Sequence, residues 1–386
     1  MLQKINQKIR LISPSKSITF ASEVAKLASE GKKIYRFNVG EPDFFPHESV
    51  IQATKEALDH GHVRYSLVPG TLELRNKIAE VDSGKYNLKI DSENIFIANG
   101  SKNVLYNIFQ LICTDQDEVI IPKPYWVSFP EQVKLSGAKP VFVDPNTDLT
   151  LNIKNIIDAI STKTKAIILN FPNNPSGSVP SNNLIQEILK ITKEKEIFLI
   201  LDLAYEETIF QNTKIDLSKY DSIPNNLILV KSFSKSYALT GFRIGYCIAS
   251  DLILKHLKSL QGHLCGNPCT FAQDGALAAL NLPDKYLTDM KEQFLLKMNT
   301  SFNIVKDIFP DLTPPGGGFY LFPNATHILS KMNLSDSDFC IKLLNDKHVA
   351  ILPGSAFGMD GHLRICFATS IEDIEVGLKK LKEFIL

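Results

Sequence analysis

Short apolar runs alternate with helix-like segments between residues 94 and 249, and this alternation restricts the fold more than any other feature of the chain. Several runs are apolar almost throughout, which is typical of strands that are covered on both faces. Alternation over this length indicates a mostly parallel sheet with helices on both sides. The predicted strands are 94–99, 117–124, 139–144, 165–172, 197–205, 226–233 and 242–249, and the predicted helices between them are 101–113, 126–136, 153–160 and 181–194.

The two ends of the chain show a different pattern, in which long helices are mixed with isolated strands. The elements predicted there are helices over 16–31, 286–307 and 336–347, a strand within 361–370, and a final helix. At 386 residues the chain is too long for one ordinary core. We therefore predict an α/β fold with a large domain over 46–285, which holds a mostly parallel seven-stranded sheet, and a smaller α+β domain built from 1–45 and 286–386.

Composition and charge exclude several classes of function. The formal net charge is zero, whereas a nucleic-acid-binding surface or an attraction to anionic membranes needs a basic surplus. No apolar run approaches the roughly 20 residues that span a bilayer, and the first residues lack the apolar segment of a signal peptide. The six cysteines are scattered, so we expect reduced thiols, no metal site and a cytoplasmic location.

Polar residues cluster where the predicted strands end, which is where open α/β sheets bind ligands. Each has an ordinary explanation when taken alone, such as a helix cap, core packing or a turn. Together they supply an amide, an aromatic ring, a carboxylate, a phenol and an amine, and this combination predicts a site. The residues concerned are Asn99 to Lys102, Tyr125 and Trp126, Asn173 and Asn174, Asp202 with Tyr205, and Lys235.

Signatures of other enzyme classes are absent from the sequence. There is no phosphate-binding loop of the Walker type, no strand followed by G-x-G-x-x-G, no G-x-S-x-G and no H-E-x-x-H. A lysine, a carboxylate and a phosphate anchor are the groups that pyridoxal 5'-phosphate requires. The polar cluster therefore favours this cofactor over a nicotinamide or a metal ion.

Nine motifs distributed over nearly the whole chain carry a specific resemblance. They are "NVGEPDF" (38–44), "RYSLVPGTLELR" (64–75), "NGSKNVLYNIF" (99–109), "PKPYWVSFPE" (122–131), "LNFPNNPSG" (169–177), "DLAYE" (202–206), "SFSKSYALTGFRIGY" (232–246), "GGFYLF" (317–322) and "LRICFATS" (363–370). With these motifs the sequence resembles the class I aminotransferases of pyridoxal-phosphate fold type I, and especially the bacterial aspartate aminotransferase branch.

The resemblance implies the following roles around the cofactor ring. Lys235 would form the Schiff base and later move the proton during transamination. Asp202 would pair with the ring nitrogen, Tyr205 and Asn174 would bind the ring oxygen, and Trp126 would stack on the ring. A reactive lysine must be neutral at working pH, and partial burial together with the charge of Arg243 is expected to lower the pKa of Lys235.

The resemblance also implies how the cofactor phosphate is held. Ser232, Arg243 and the backbone N–H groups of Ser101 and Lys102 would bind it, as N–H groups at a helix start suit an anion. Tyr65 would reach the phosphate from the neighbouring subunit. The resemblance therefore implies a homodimer with shared active sites.

The substrates implied are an amino acid and a 2-oxo acid, in the first place aspartate and 2-oxoglutarate. Arg364 would bind the α-carboxylate in a bidentate manner beside the Gly40 backbone, with Asn174 and Trp126 nearby. No arginine occurs between Arg243 and Arg364, so a distal carboxylate would fall to Lys102 or to Lys16.

Two departures from the family pattern leave other substrates open. "CGNPC" (265–269) and "PPGGG" (314–318) replace segments that border the substrate pocket in the family. Aromatic, alanine-like or other neutral amino acids and prephenate are therefore alternative substrates, and a lyase reaction on the same cofactor is a further alternative. A cofactor-sensing domain of a transcription regulator fits poorly, because such proteins carry an additional DNA-binding arm.

Overall fold

A computed structural model describes residues 6–13 and 16–386, with all side chains in these ranges except those of residues 7, 16–19 and 21. In this part of the chain the elements are numbered in chain order. The strands are β1 (Tyr35–Arg36), β2 (Ile95–Ala98), β3 (Glu118–Pro122), β4 (Lys139–Val143), β5 (Thr164–Asn170), β6 (Phe198–Asp202), β7 (Leu227–Ser232), β8 (Gly245–Ile248), β9 (Tyr320–Leu321), β10 (Val349–Ala350), β11 (Leu352–Pro353) and β12 (Leu363–Cys366).

The α-helices lie on both sides of the strands and at the ends of the chain. They are α1 (Gln7–Arg10), α2 (Lys16–Ser29), α3 (Glu48–Asp59), α4 (Leu72–Tyr86), α5 (Ser101–Ile112), α6 (Ser128–Ser136), α7 (Ile153–Asp158), α8 (Asn182–Glu194), α9 (Phe233–Ser236), α10 (Asp251–Leu264), α11 (Thr270–Leu280), α12 (Asp284–Val305), α13 (Thr326–Met332), α14 (Asp336–Lys347) and α15 (Ile371–Ile385). Short 3₁₀ helices cover Ser92–Asn94, Glu206–Thr208 and Gly354–Phe357. No helix in the described ranges is long and apolar enough to cross a membrane.

Strands β2 to β8 form one seven-stranded sheet in the order β2-β8-β7-β6-β5-β3-β4. The neighbours from β7 to β4 all pair in parallel, and β8 pairs antiparallel with both β2 and β7. The predicted α/β fold with a mostly parallel seven-stranded sheet is therefore confirmed. Each of the seven predicted strands corresponds to one strand of this sheet.

Both faces of the sheet are buried, which explains why its strands are apolar at nearly every position. In β6, Leu199 and Leu201 pack into the cluster on one face, whereas Ile200 packs into the cluster on the other. Alternate residues of a strand point to opposite faces, so a strand between two helical layers must be apolar on both. Asp202 follows as the last residue of β6, and the chain leaves the sheet there.

A third buried cluster joins the two ends of the chain. It combines residues between Phe20 and Phe37 with residues between Met290 and Leu381, and it also includes Ala204 and Tyr205. Strand β1 pairs with β10, and β9, β11 and β12 form a separate antiparallel sheet. Packing of both ends into one core is compatible with the small domain expected from the sequence, whose boundaries stay a prediction.

Serine side chains fix the start of several helices. Ser181 before α8, Ser335 before α14 and Ser370 before α15 each accept a hydrogen bond from the backbone N–H three residues later. Such caps satisfy N–H groups that have no partner within the helix. The predicted helices 181–194 and 336–347 begin within one residue of the observed α8 and α14.

The sequence prediction omitted α1, α3, α4, α9, α10, α11 and α13. Helix α4 shows the reason, because it buries Arg75 and Asp82 together with apolar residues. Charged residues on the buried face interrupt the apolar period by which a helix is recognised. The predicted strand 242–249 is also too long: β8 begins at Gly245, and Arg243 has a left-handed backbone conformation with φ of 56°.

Candidate active site

A cavity of about 580 Å³ lies at the carboxyl ends of β5, β6 and β7. It is lined by residues of the sheet and by residues of the core that the two ends of the chain form. Most residues that the sequence assigned to a site line this one cavity. They are Gly40, Ser101, Lys102, Trp126, Asn174, Asp202, Tyr205, Ser232, Lys235, Arg243 and Arg364. The parallel strands end at the same edge of the sheet, so residues distant in sequence meet there.

Asp202 supplies a buried carboxylate at the end of β6. The residue is 4% exposed, and Oδ1 accepts a hydrogen bond from the Ala204 N–H over 3.1 Å. Burial raises the pKa of Asp202 to about 7, and this hydrogen bond and the nearby Lys235 ammonium oppose the rise only in part. A cationic partner in the cavity would stabilise the ionised carboxylate.

Lys235 supplies the amine, and it lies in the single turn of α9 that follows β7. Nζ donates a hydrogen bond to the Gly40 carbonyl oxygen over 2.6 Å. The pKa of Lys235 is lowered to about 8, mainly by burial. Cys366 and Glu41 oppose the fall in part, and the charges of Arg364 and Arg243 add to it by smaller amounts. Burial is thus the main cause, whereas the prediction named burial together with the charge of Arg243. A neutral amine is accessible near physiological pH.

The start of α5 lines one end of the cavity with groups that suit an anion. Gly100 caps the helix with φ of 86°, and a Cβ atom there would lie 2.5 Å from an Arg243 guanidinium nitrogen. A Cβ atom on Gly245 would lie 2.3 Å from the Ser101 backbone nitrogen. Glycine at both positions therefore allows the Arg243 guanidinium, the Ser101 backbone nitrogen and the end of β7 at Ser232 to lie close together. The N–H groups, the guanidinium and the hydroxyl together suit a phosphate.

Arg364 in β12 supplies a second cationic group, and it is held on several sides. Its two terminal nitrogens donate to Asn174 Oδ1 over 3.0 Å and to the Asn38 carbonyl oxygen over 2.7 Å. The guanidinium carbon lies 4.6 Å from the centre of the Tyr320 ring and 4.9 Å from that of Phe357. Within the described residues, the buried Nε atom has no hydrogen-bond partner. The donors left for a carboxylate are the second N–H groups of the two terminal nitrogens.

The Tyr205 hydroxyl lies 2.8 Å from the Tyr320 hydroxyl, and both side chains are buried. Burial raises the pKa of both phenols above their usual range. Both groups therefore stay protonated at physiological pH and can donate hydrogen bonds. Tyr205 also lines the cavity, so its phenol is available to a ligand there.

Lys102 lies at the opening of the cavity beside Trp126. The residue as a whole is exposed, but Nζ lies 4.8 Å from the centre of the indole ring. Partial burial of the ammonium group and the charge of Arg243 lower the pKa of Lys102. Lys102 therefore places a positive charge at the rim of the cavity that Arg364 also lines.

Several predicted residues do not line the cavity, among them four of the strand-end cluster: Asn99, Gly100, Tyr125 and Asn173. Tyr65 is 97% exposed and does not line the cavity of its own chain. The side chain of Lys16 lies outside the described residues, so the structure says nothing of its role. The segments 265–269 and 314–318 also contribute no residue to the described lining of the cavity.

Sequence reasoning missed several residues that line the cavity. Asn170 is the last residue of β5, and its side chain binds the Asn174 N–H and the Asp202 carbonyl oxygen over 2.9 and 3.0 Å. Its position at a strand end could have identified it. Tyr320 lies within the motif 317–322 but was given no role of its own, and Phe357 comes from a short 3₁₀ helix without a periodic pattern. Among the described residues no cluster of three or more His, Cys, Asp or Glu side chains could hold a metal ion.

Comparison with known proteins agrees with this geometry. The profile of the family described as aminotransferase class I and II matches residues 32–381. Aspartate aminotransferase of Bacillus subtilis is 34% identical, with 99% of each chain covered. A probable aspartate/prephenate aminotransferase of Aquifex aeolicus is 33% identical, also with 99% of each chain covered. The crystal structure of aspartate aminotransferase from Thermotoga maritima superimposes with a TM-score of 0.92 at 29% identity and covers 99% of this chain and 100% of that one.

Proposed function

The chain belongs to the family of class I and II aminotransferases, and we propose that it transfers the amino group of aspartate to 2-oxoglutarate with pyridoxal 5'-phosphate as cofactor. The observation that carries the proposal is the meeting of Lys235, Asp202 and Arg364 in one cavity whose rim holds Lys102. The names of the Bacillus subtilis and Thermotoga maritima relatives support aspartate as the donor.

The residues of the cavity fit the cofactor at both of its ends. The α5 start with Ser101, the Ser232 hydroxyl and the Arg243 guanidinium would hold the phosphate. Asp202, whose pKa burial raises to about 7, would gain a cationic partner in the ring nitrogen. When bound, pyridoxal phosphate supplies an aldehyde for linkage to amines and a ring that accepts electrons.

Lys235 would serve as the base that moves the proton. With a pKa lowered to about 8, its Nζ is neutral in a substantial fraction of molecules near physiological pH. The neutral amine can take a proton from the substrate Cα and later return one, which is general acid–base work by one group. Its hydrogen bond to the Gly40 carbonyl keeps Nζ inside the cavity.

Arg364 would bind and orient the α-carboxylate of the substrate. Two of its nitrogens are already fixed by Asn174 and Asn38, which sets the plane of the guanidinium. Each terminal nitrogen carries a second N–H group, and these two donors remain for a substrate carboxylate. A guanidinium held in this way selects a planar carboxylate and orients the Cα–H bond that Lys235 must reach.

Lys102 would bind the distal carboxylate of aspartate or glutamate. It lines the same cavity as Arg364 and lies against Trp126. The two positive groups match the two carboxylates of a dicarboxylic amino acid. A second candidate, an aspartate/prephenate aminotransferase, is supported by the name of the Aquifex aeolicus relative, and prephenate also carries two carboxylates.

Half-reaction rates with aspartate, glutamate, phenylalanine, alanine and a prephenate acceptor test the substrate proposal. We expect aspartate and glutamate to react fastest, and Lys102→Met to lower their kcat/KM about 10-fold or more while alanine changes little. The exposed Lys255, replaced by Met, is the matched control. Equal rates for aspartate, phenylalanine and alanine would refute the aspartate proposal, and release of pyruvate with ammonia would indicate a lyase.

We also propose that the active protein is a cytoplasmic homodimer. Tyr65 lies among exposed apolar residues that a second copy would cover, such as Phe45 at 91%, Val63 at 63% and Leu67 at 55% exposure. Apolar side chains this exposed and this close in sequence are typical of a subunit interface. All six cysteines lie in the described residues as free thiols, which supports a reducing compartment.

A further inference from the structure

Tyr320 occupies a position between the groups that the proposed function uses. It is 1% exposed, lies in β9, and pairs with Cys366 of β12 two residues beyond Arg364. Its hydroxyl and its ring contact two different members of the site. The two contacts predict different consequences of substitution.

The hydroxyl of Tyr320 is paired with that of Tyr205 over 2.8 Å. If Tyr205 donates its own proton to a ligand in the cavity, Tyr320 must be the donor between the two phenols, since each hydroxyl has one proton. A phenol that accepts a hydrogen bond becomes a stronger donor itself. Tyr320 therefore sets both the direction and the strength of the Tyr205 donor.

The ring of Tyr320 supports Arg364 from one side, with the guanidinium carbon 4.6 Å from its centre. Phe357 supports the same group at 4.9 Å. Rings on a guanidinium favour its charge and restrict its rotation. The Tyr320 ring therefore helps to hold Arg364 in the orientation that binds a carboxylate.

The same hydroxyl explains why residue 40 is glycine. A Cβ atom on Gly40 would lie 2.1 Å from the Tyr320 hydroxyl oxygen, so any larger residue would displace it. The Gly40 carbonyl oxygen also accepts the hydrogen bond from Lys235 Nζ. Tyr320 thus contacts three segments that each carry part of the site.

We propose that Tyr320 is a positioning residue that holds the Tyr205 phenol and the Arg364 guanidinium at the same time, so that the donor to the cofactor and the clamp for the substrate carboxylate are aligned by one side chain. This inference rests on the proposed function of the cavity. It predicts two separable effects, one from the hydroxyl and one from the ring.

Tyr320→Phe removes only the hydroxyl and tests the contact with Tyr205. A weaker Tyr205 donor leaves more negative charge on the ring oxygen of the cofactor, which favours the proton on the adjacent nitrogen of the lysine linkage. The pKa of the bound cofactor, read from its visible absorption against pH, is expected to rise. We expect kcat to fall about 2- to 10-fold, and the Kd of succinate to stay within about 2-fold of the wild type.

Tyr320→Leu also removes the ring and tests the contact with Arg364. Its Kd for succinate, measured by calorimetry on the cofactor-loaded protein, is expected to rise about 3- to 30-fold. Tyr246→Phe is the matched control, because it removes a buried phenol bonded to Asp82 over 2.7 Å outside the cavity. This control is expected to keep the wild-type absorption titration and the wild-type Kd.

The outcomes separate the inference from the proposed function. A wild-type absorption titration in Tyr320→Phe overturns the positioning role, even if Tyr320→Leu fails to fold. An unchanged succinate Kd in a folded Tyr320→Leu overturns the Arg364 half of it. Failure of the wild-type protein to bind the cofactor or to transaminate would refute the proposed function instead.

Discussion

The Lys231 ammonium lies 3.0 Å from the Glu206 carboxylate, and this buried contact connects the residue before Ser232 with the residue after Tyr205. Lys231 also contacts Asp82 over 2.7 Å, and Lys85 contacts Glu206 over 3.1 Å. The phenols of Tyr86 and Tyr246 bind the two carboxylates. A fully hydrogen-bonded network of charges therefore lies behind the strand ends that carry the cofactor-binding residues.

Replacement of Lys231 by Met is expected to destabilise the protein strongly. It would leave the buried carboxylates of Asp82 and Glu206 without their shared cation, and loss of one partner from a buried ion pair costs about 3–5 kcal/mol. Urea unfolding of the two proteins measures the difference. The exposed Lys255→Met variant should change the free energy of unfolding by less than about 0.5 kcal/mol. A loss below about 1 kcal/mol in Lys231→Met would contradict the network's structural role.

The network also predicts a loss of stability in acid. Burial alone would raise the pKa of Glu206, but Lys231 and Lys85 outweigh it and lower the pKa from 4.5 to about 2. A carboxyl group whose pKa is lower in the folded state stabilises the fold above the unfolded value and loses this contribution as pH falls through the folded value. The stability difference between the wild type and Glu206→Gln should therefore shrink between about pH 5 and pH 2. A difference independent of pH in urea titrations would show that the pKa is not lowered.

The strand ends were predictable from the sequence, and the contacts between them were not. Buried apolar runs located Asp202 and Lys235 at the edge of the sheet, because parallel strands covered on both faces have a recognisable composition. Asp82, Glu206 and Lys231 lie in three separate segments, and their pairing depends on how α4 and the loop after β6 lie relative to β7. Tyr320 comes from a two-residue strand that no periodicity can reveal. Assignment of roles to single residues depended on the motif resemblance.

Lys235→Ala is expected to abolish both transamination and the visible absorption that covalent attachment of the cofactor to a lysine produces. The reason is that Nζ of Lys235 lies in the cavity with Asp202, so its removal takes away the amine. Absorption spectra after incubation with pyridoxal phosphate provide the measurement, and Lys255→Ala serves as the control. Retention of the absorption band in Lys235→Ala would place the linkage on another lysine.

Gly100→Ala is expected to reduce the free energy of cofactor binding more than it reduces the free energy of unfolding. The new Cβ atom would lie 2.5 Å from an Arg243 guanidinium nitrogen, and φ of 86° strains any residue with a side chain. Arg243 must then move away from the start of α5. Fluorescence titration of the cofactor-free protein should show a Kd about 10-fold or more above the wild type. Gly84→Ala is the control, because a Cβ atom there meets no atom within 4 Å. Equal affinities would show that Arg243 does not need this position.

Mixed dimers test whether Tyr65 completes the site of the partner subunit. Tyr65 is 97% exposed and lies outside the cavity of its own chain. Tyr65→Phe and Lys235→Ala should each lower activity as homodimers. In a mixed dimer the subunit with Tyr65→Phe keeps its Lys235 and receives an intact Tyr65 from its partner, so one complete site forms.

Differently tagged subunits, purified as the mixed dimer, should regain about half the wild-type activity. If Tyr65 served its own subunit, the mixed dimer would contain no complete site and its activity would stay no higher than the average of the two homodimers.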